Sequence, residues 1–359
     1  MGRAARRAPP EPAGQRLPPL AVTMGDPAGI GPDITLAAWL QRRAYALAPF
    51  VVLGDAEMLA ARAVALGLDV PVETVTDLGQ AASLFDSALP LWSIPCATPV
   101  VAGTPDARNA PAVIAAIEAA VLAVQAGTAR AVVTNPIAKS VLMAAGFAHP
   151  GHTEFLGALA EAHFGVSGAV PVMLLASAEV KVVPLTVHIP LAKVAEAISP
   201  DAIITTARIL HRALVSDFGI AAPRIAVTGL NPHAGEDGKI GDEDARLIAP
   251  AVAALAREGL AATGPHPADT LFHAAARATY DAVLAMYHDQ ALIPIKTLAF
   301  DTGVNVTLGL PFVRTSPDHG TAFSIAGTGA ARASSLIEAL KLADAMARRR
   351  AVRPAESVR

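Results

Sequence analysis

At 359 residues, 53% apolar and only 16% charged, with a mean hydropathy of +0.45, the chain reads at first like a membrane protein. Its runs argue otherwise: the longest uncharged stretch, Ser87 to Pro105, carries four prolines, and no segment offers the roughly 18 clean apolar residues of a span. A net charge of −3, from 28 basic and 31 acidic residues, leaves no basic stripe for nucleic acid, and the single cysteine, Cys96, excludes an internal disulfide and a cysteine zinc cluster.

The length suits about two domains. Residues 1–19 hold Arg3, Arg6, Arg7 and five prolines without an apolar core. The Arg6-Arg7 pair lacks the hydrophobic region of an export signal, so this stretch reads as a disordered leader and the protein as cytoplasmic. From Leu20 onward, short apolar runs alternate with Ala/Leu-rich stretches. Strands are expected at Leu20–Met24, Phe50–Leu53, Ala131–Thr134, Val170–Leu175, Lys181–Val187, Arg224–Thr228, Ala282–Tyr287 and Val304–Leu308. Helices are expected at Asp33–Gln41, Ala56–Leu66, Ala110–Ala126, Glu154–Ala162, Pro200–Phe218, Asp242–Glu258 and Ser334–Arg349. This alternation predicts an α/β fold with a mainly parallel sheet. The Pro-rich patch Pro90–Pro105 reads as a loop or edge hairpin.

The first strand runs into Thr23-Met-Gly25-Asp26-Pro27-Ala-Gly29-Ile-Gly31-Pro32. Its glycines permit close backbone approach and Pro32 suits a first helical turn. The motif is not G-x-G-x-x-G, and it fits a plain strand-to-helix turn as well as a ligand loop. Further on, Gly151-His152-Thr153-Glu154 opens a helix. An imidazole and a hydroxyl there stand beside free helix N–H groups, a setting for a polar or anionic ligand or simply a surface turn.

Three histidines follow a common rule. His188, His233 and His288 each come at or just beyond the carboxyl end of an expected strand, 45 and 55 residues apart. Strand ends of an open α/β sheet line the ligand crevice. Three imidazoles with open coordination positions suit a catalytic divalent metal, whereas any one alone fits a turn. The densest chemistry lies between Met286 and Gly320, which holds His288-Asp289-Gln290, Lys296, Asn305, Arg314 and Asp318-His319-Gly320. Lys296 and Arg314 match a terminal phosphate, Arg314 alone also matches a carboxylate, and both would serve equally in structural ion pairs with Asp289 or Asp301.

Six motifs together give the chain a resemblance to the 4-hydroxythreonine-4-phosphate dehydrogenase family of vitamin B6 biosynthesis. They are Thr-Met-Gly-Asp-Pro-Ala-Gly-Ile-Gly-Pro (23–32), Gly-His-Thr-Glu (151–154), Asn-Pro-His-Ala-Gly-Glu (231–236), Pro-Ala-Asp-Thr (267–270), Met-Tyr-His-Asp-Gln (286–290) and Leu-Gly-Leu-Pro-Phe-Val-Arg-Thr-Ser-Pro-Asp-His-Gly-Thr-Ala (308–322). The resemblance implies two αβα domains in an isocitrate/isopropylmalate dehydrogenase-like architecture, with the active site in the interdomain cleft. The domains would be 20–146 with 321–352, and 147–320 carrying the metal and phosphate site.

It also implies a homodimer whose active site lies at the subunit interface. It places a divalent metal (zinc, magnesium or cobalt) on His188, His233 and His288. Substrate contacts fall on His152, Thr153, Lys296, Asn305 and Arg314, and NAD(P) contacts on the loop with His319, Gly320, Thr321 and Gly327. Asp289 would support the metal or relay protons. The implied reaction oxidises 4-phosphooxy-L-threonine at C3, and the β-keto acid loses CO2 to give 3-amino-2-oxopropyl phosphate. Relatives of the family act on sugar-acid phosphates or aromatic dihydrodiol carboxylates. Ala291, where the family usually has Gly, and Ser324, where it usually has Asp, depart from the pattern.

Overall fold

The computed structural model describes residues 17–149 and 151–352. Most of the expected leader, residues 1–16, lies outside the described residues; Pro19 is buried, and its carbonyl accepts from Arg130 N at 3.0 Å. Twelve strands form one sheet: β1 (Leu20–Thr23), β2 (Phe50–Gly54), β3 (Val72–Thr74), β4 (Leu89–Ser93), β5 (Ala131–Thr134), β6 (Val172–Ala176), β7 (Lys181–Thr186), β8 (Arg224–Thr228), β9 (Ala261–His266), β10 (Ala282–Tyr287), β11 (Val304–Leu308) and β12 (Arg314–Pro317). Their spatial order is β3-β4-β2-β1-β5-β12-β11-β6-β7-β10-β8-β9. The expected α/β class is the one found.

The central strands β1, β2 and β5 are buried at every residue, because helices cover both faces of a parallel sheet. Local chemistry fixes where those helices begin. Asp55 accepts from Met58 N at 2.7 Å and starts Ala56–Ala65; Ser199, followed by Pro200, starts Pro200–Ser216. The long helix Ser334–Val352 packs on β12, β5 and β11 through Leu336, Leu340 and Ala343.

Strand direction matters for everything that follows. β11 is antiparallel to both β12 and β6, and β6 is antiparallel to β7, whereas β7, β10 and β8 run parallel. The carboxyl ends of β7, β10 and β8 therefore lie along one edge of the sheet. Those of β1, β5 and β12, which run parallel to one another, lie along the opposite edge.

Four strands and one long helix correct the expected element map, beside the short helices Ala81–Leu84, Lys139–Ala144, Val194–Ala197 and Ala274–Arg277. β12 reads Arg-Thr-Ser-Pro, too polar to look like a strand, yet all four residues are buried. The strands β3 and β9 run at the two margins of the sheet, where exposure leaves little apolar signature. β4 holds Pro90, so the Pro-rich patch begins inside the sheet and not in a hairpin. The segment after β10 is the helix His288–Ala299, although Pro294 lies within it. Ala291, Leu292, Ile295 and Ala299 bury one face against β7 and β10, and that packing outweighs the missing N–H of proline. The stretch Ala107–Gln125 is long and apolar enough to cross a membrane despite containing Arg108 and Glu118; half of it is buried inside the fold.

Candidate active site

Arg314 opens β12 with 4% of its surface exposed. Its Nε and Nη2 donate to Thr134 Oγ1 on β5 at 3.1 and 2.7 Å, and its Nη1 donates to Thr307 Oγ1 on β11 at 2.9 Å. No carboxylate among the described residues pairs with it. Burial pushes the guanidinium down to about 10. A buried cation without a counter-charge is expensive, and such sites are retained where a ligand supplies the anion. The ion pairs with Asp289 or Asp301 that would have explained this arginine structurally are not made: Asp301 pairs with Arg332 and Asp289 with His288. Asn305 stands two residues before Thr307 on β11, so its side chain leaves the same face of the sheet.

His152 joins this cluster. It begins the helix His152–Phe164, whose preceding residue, Gly151, offers no capping side chain. Arg314 Nη2 lies 3.4 Å from His152 Nδ1, which must then accept. The ring proton belongs on Nε2, which is buried and has no partner. Burial, and then the charge of Arg314, holds this imidazole well below its usual value. Thr153, the next residue, is half-buried beside Gly157 and Pro171.

The folded chain thus binds fewer protons at His152 than the unfolded chain does, so stability rises with pH through the unfolded value and is lost below it. Between pH 7 and pH 5 the wild type should lose more unfolding free energy than His152→Gln, because the unfolded imidazole takes up its proton in that window and the folded one is held neutral. Denaturant unfolding at both pH values measures this. Equal losses would mean that the folded imidazole takes up its proton as the unfolded one does.

Lys296 lies apart from Arg314. Its Nζ forms an ion pair with Asp318 Oδ2 at 2.8 Å and reaches the Asp318 carbonyl at 3.2 Å. The amine faces a carboxylate that sequence reasoning had not paired with it. Eight residues of helix separate Lys296 from His288, a rise of about 12 Å.

At the other end of that helix, the rings of His288 and His188 stand 5.8 Å apart, centroid to centroid. His288 Nδ1 donates to Asp289 Oδ1 at 2.7 Å, which leaves the Nε2 lone pair for a ligand, the orientation a metal-binding histidine takes. His188 and His233 are exposed. His233 follows β8, the neighbour of β10, so all three histidines belong to one edge of the sheet. Even so, among the described residues no three His, Cys, Asp or Glu side chains close in enough to hold a metal. The chain brings His188 and His288 together and leaves His233 outside the pair.

The loop that carries His233 has an uncommon backbone. Residues 233–237 all have positive φ, from 43° to 81°, and four of them are not glycine. Asp244, 2% exposed, holds the loop's base by accepting from Leu230 N at 2.8 Å and Asn231 Nδ2 at 2.9 Å. Gln290 ties that base to the His288 helix: it accepts from Thr228 Oγ1 and Met286 N, each at 2.7 Å, and donates to Gly229 O at 2.8 Å. The Gln of His-Asp-Gln is therefore a brace between the strand ends.

The glycine-rich turn after β1 packs against the protein itself. A Cβ on Gly25 would stand 2.6 Å from Pro136 O, and one on Gly29 would stand 2.9 Å from Thr321 O. Asp26, buried in this turn, accepts from Ala28 N at 3.0 Å, and burial raises its carboxyl above the usual range. Of the residues expected at the cofactor, Thr321 gives its carbonyl to Ile30 N at 2.9 Å, and Gly327 gives its N–H to Asp33 Oδ1 at 2.7 Å. Asp33 in turn forms a buried ion pair with Arg62. His319 Nδ1 donates to the carbonyl of the exposed Gly320 at 3.1 Å, leaving a buried Nε2 acceptor without a partner.

An α/β fold that buries an uncompensated guanidinium among hydroxyls defines an enzyme for small anionic substrates. Comparison with known proteins narrows the class. Residues 46–343 match the family described as pyridoxal phosphate biosynthetic protein PdxA. A 4-hydroxythreonine-4-phosphate dehydrogenase of Methylorubrum populi is 57% identical over 333 residues, spanning 92% of this chain and 95% of that one. The corresponding protein of Bradyrhizobium diazoefficiens is 55% identical over 337 residues, 92% and 97% of the two chains.

Solved structures agree. The 4-hydroxythreonine-4-phosphate dehydrogenase from Klebsiella pneumoniae superposes with a TM-score of 0.81 at 38% identity, covering 92% and 99% of the two chains. A terephthalate 1,2-cis-dihydrodiol dehydrogenase from Burkholderia xenovorans gives 0.61 at 29% identity, covering 92% and 98%. The chain belongs to the 4-hydroxythreonine-4-phosphate dehydrogenase family, an oxidoreductase acting on a small phosphorylated substrate.

Proposed function

We propose that the chain oxidises the C3 hydroxyl of 4-phosphooxy-L-threonine with NAD(P) and a divalent metal (zinc, magnesium or cobalt). The product is 2-amino-3-oxo-4-phosphooxybutanoate, which loses CO2 to give 3-amino-2-oxopropyl phosphate on the route to pyridoxine 5'-phosphate. One observation carries the reading: Arg314 is buried beside His152 with hydroxyl and imidazole acceptors only, so the missing counter-charge is the substrate's phosphate. Asn305 and Thr153 orient the rest of the molecule, and Lys296 turns from Asp318 to the anion. When bound, the metal supplies Lewis-acid polarisation of the alcohol. His188, His233 and His288 would hold it, with Asp289 fixing the tautomer of His288. His319, Gly320, Thr321 and Gly327 form the loop for the nicotinamide cofactor.

The same reading keeps the two αβα domains, 20–146 with 321–352 and 147–320, and makes the enzyme a homodimer with shared active sites. Strand direction supports the dimer: the histidines lie on one edge of the sheet, while Asp318, His319 and the glycine-rich turn follow strand ends on the other. Apolar side chains also stand uncovered: Leu191 (71% exposed) and Ile293 (63%) follow His188 and His288 closely in the chain, and Phe300 (68%) ends the His288 helix. A second copy would cover them and bring its opposite edge to the metal.

The deciding experiment follows nicotinamide reduction by absorbance, with 4-phosphooxy-L-threonine and free 4-hydroxythreonine, each with and without added metal. The phosphorylated substrate should be preferred by about 2–5 kcal/mol in kcat/KM, the size of a buried charge pair. Equal turnover of the two would unseat the phosphate assignment. A dihydrodiol carboxylate would then be the next substrate to test.

A further inference from the structure

The guanidinium of Arg314 carries five N–H groups, and four of them point at acceptors: two at Thr134, one at Thr307 and one at His152. Thr134 Oγ1 thus receives two N–H bonds, which fill both lone pairs of a hydroxyl. Toward anything further it can act only as a donor, and no acceptor among the described residues takes its proton. Thr307 Oγ1 likewise accepts from Arg314 and donates to no described residue. Thr134 is 0% exposed and Thr307 is 2% exposed, so bulk water does not take these protons either.

The groups left uncommitted around Arg314 are therefore all donors: two hydroxyl protons, the Nε2–H of His152 and the last N–H of Nη1. A structural arginine would meet carboxylates or carbonyls. With no carboxylate beside it, the guanidinium keeps its charge uncompensated until an anion binds. The two threonines also come from the strands that flank β12, β5 on one side and β11 on the other. Branching at Cβ restricts their χ1 rotamers, so each hydroxyl is held at a fixed place against the guanidinium.

We propose that Thr134 and Thr307 are positioning residues that act on the anion through Arg314. They clamp the Arg314 fork from both sides and hold it toward the substrate's phosphate. This rests on the phosphate reading above, and it adds the residues that fix the orientation of the arginine.

The test compares wild type with Thr134→Val, Thr134→Ser and Thr307→Val. One measurement is the rise in melting temperature produced by inorganic phosphate over chloride at equal ionic strength. The other is kcat and KM for 4-phosphooxy-L-threonine and for free 4-hydroxythreonine. Both Val variants should lose the phosphate-dependent rise and raise KM for the phosphorylated substrate roughly 10- to 100-fold, as loss of hydrogen bonds to a charged group does. Their kcat should fall less than KM rises, and the free substrate, which has no phosphate to bind, should lose less than the phosphorylated one. Thr134→Ser, which keeps the hydroxyl, should restore both readouts.

The proposal is overturned if wild type gains no stability from phosphate, or if the Val variants keep that gain. It is also overturned if they lose activity equally on both substrates, the mark of a purely structural role. If wild type fails to turn over the phosphorylated substrate yet shows a phosphate gain that the Val variants lose, the substrate reading falls and the threonine assignment stands.

Discussion

Replacing Arg314 with Ala should lower kcat/KM for 4-phosphooxy-L-threonine by roughly 30- to 5,000-fold, or about 2–5 kcal/mol of transition-state binding. The size follows from burial: at 4% exposure water cannot stand in for the lost cation, and the phosphate keeps close to two negative charges. Truncation also leaves Thr134 and His152 without the donor they now accept from. Part of the loss will therefore be the cost of unpaired polar atoms. Free 4-hydroxythreonine separates the two contributions, because it keeps the structural cost and lacks the phosphate. Equal losses on both substrates would assign Arg314 to the fold. Arg314→Lys should recover only a fraction, since an ammonium cannot bond β5 and β11 in one plane.

Replacing His188, His233 or His288 with Ala should abolish bound divalent metal and reduce turnover to background while thermal unfolding stays cooperative. His188 and His233 are exposed, so their removal leaves no cavity and the fold should tolerate it. Metal content by elemental analysis and activity after chelation are the readouts. Near-normal activity in any two of the three variants after chelation would refute the assignment. Mixing offers a sharper check of the shared site. His288 and Lys296 sit about 12 Å apart along one helix, so an active site built by two chains would take one residue from each. Heterodimers of His288→Ala with Lys296→Ala should then regain part of the activity that neither parent has.

The sequence carried the sheet where side chains were mostly apolar. β5, β8, β10 and β11 begin and end where their Val/Ile/Leu runs predict, because both faces of those strands are covered. β12 was hidden by its function. Arg314 and Thr315 are polar because they bond across the sheet and to the last helix, as Thr315 Oγ1 does to Ala339 O at 2.9 Å. The helix after β10 was masked by Pro294, whose cost is outweighed by tertiary packing invisible in a local window.

The candidate site was legible as residue types and not as partners. Arg314 and His152 stood out individually, but 162 positions separate them, and nothing local says that one accepts from the other. Thr307 left one usable trace: with Asn305 it puts two polar residues at alternate positions in an apolar strand, hence on one face. The partner of Lys296 was sought at Asp289 or Asp301 and found at Asp318, which only the β11–β12 pairing brings near.

Arg314 also has a mechanical consequence. Its side chain crosses from β5 to β11, and β12 is the strand between them through which the two halves of the sheet share one ladder. Opening that ladder requires the guanidinium to release Thr134 or Thr307 first. Linkage runs in both directions, so an anion that binds only the intact clamp opposes local opening by as much as opening weakens the anion. Amide hydrogens of β5, β11 and β12 are then the ones whose exchange a bound phosphate slows, while those of the sheet margins, β3 and β9, keep their own rhythm.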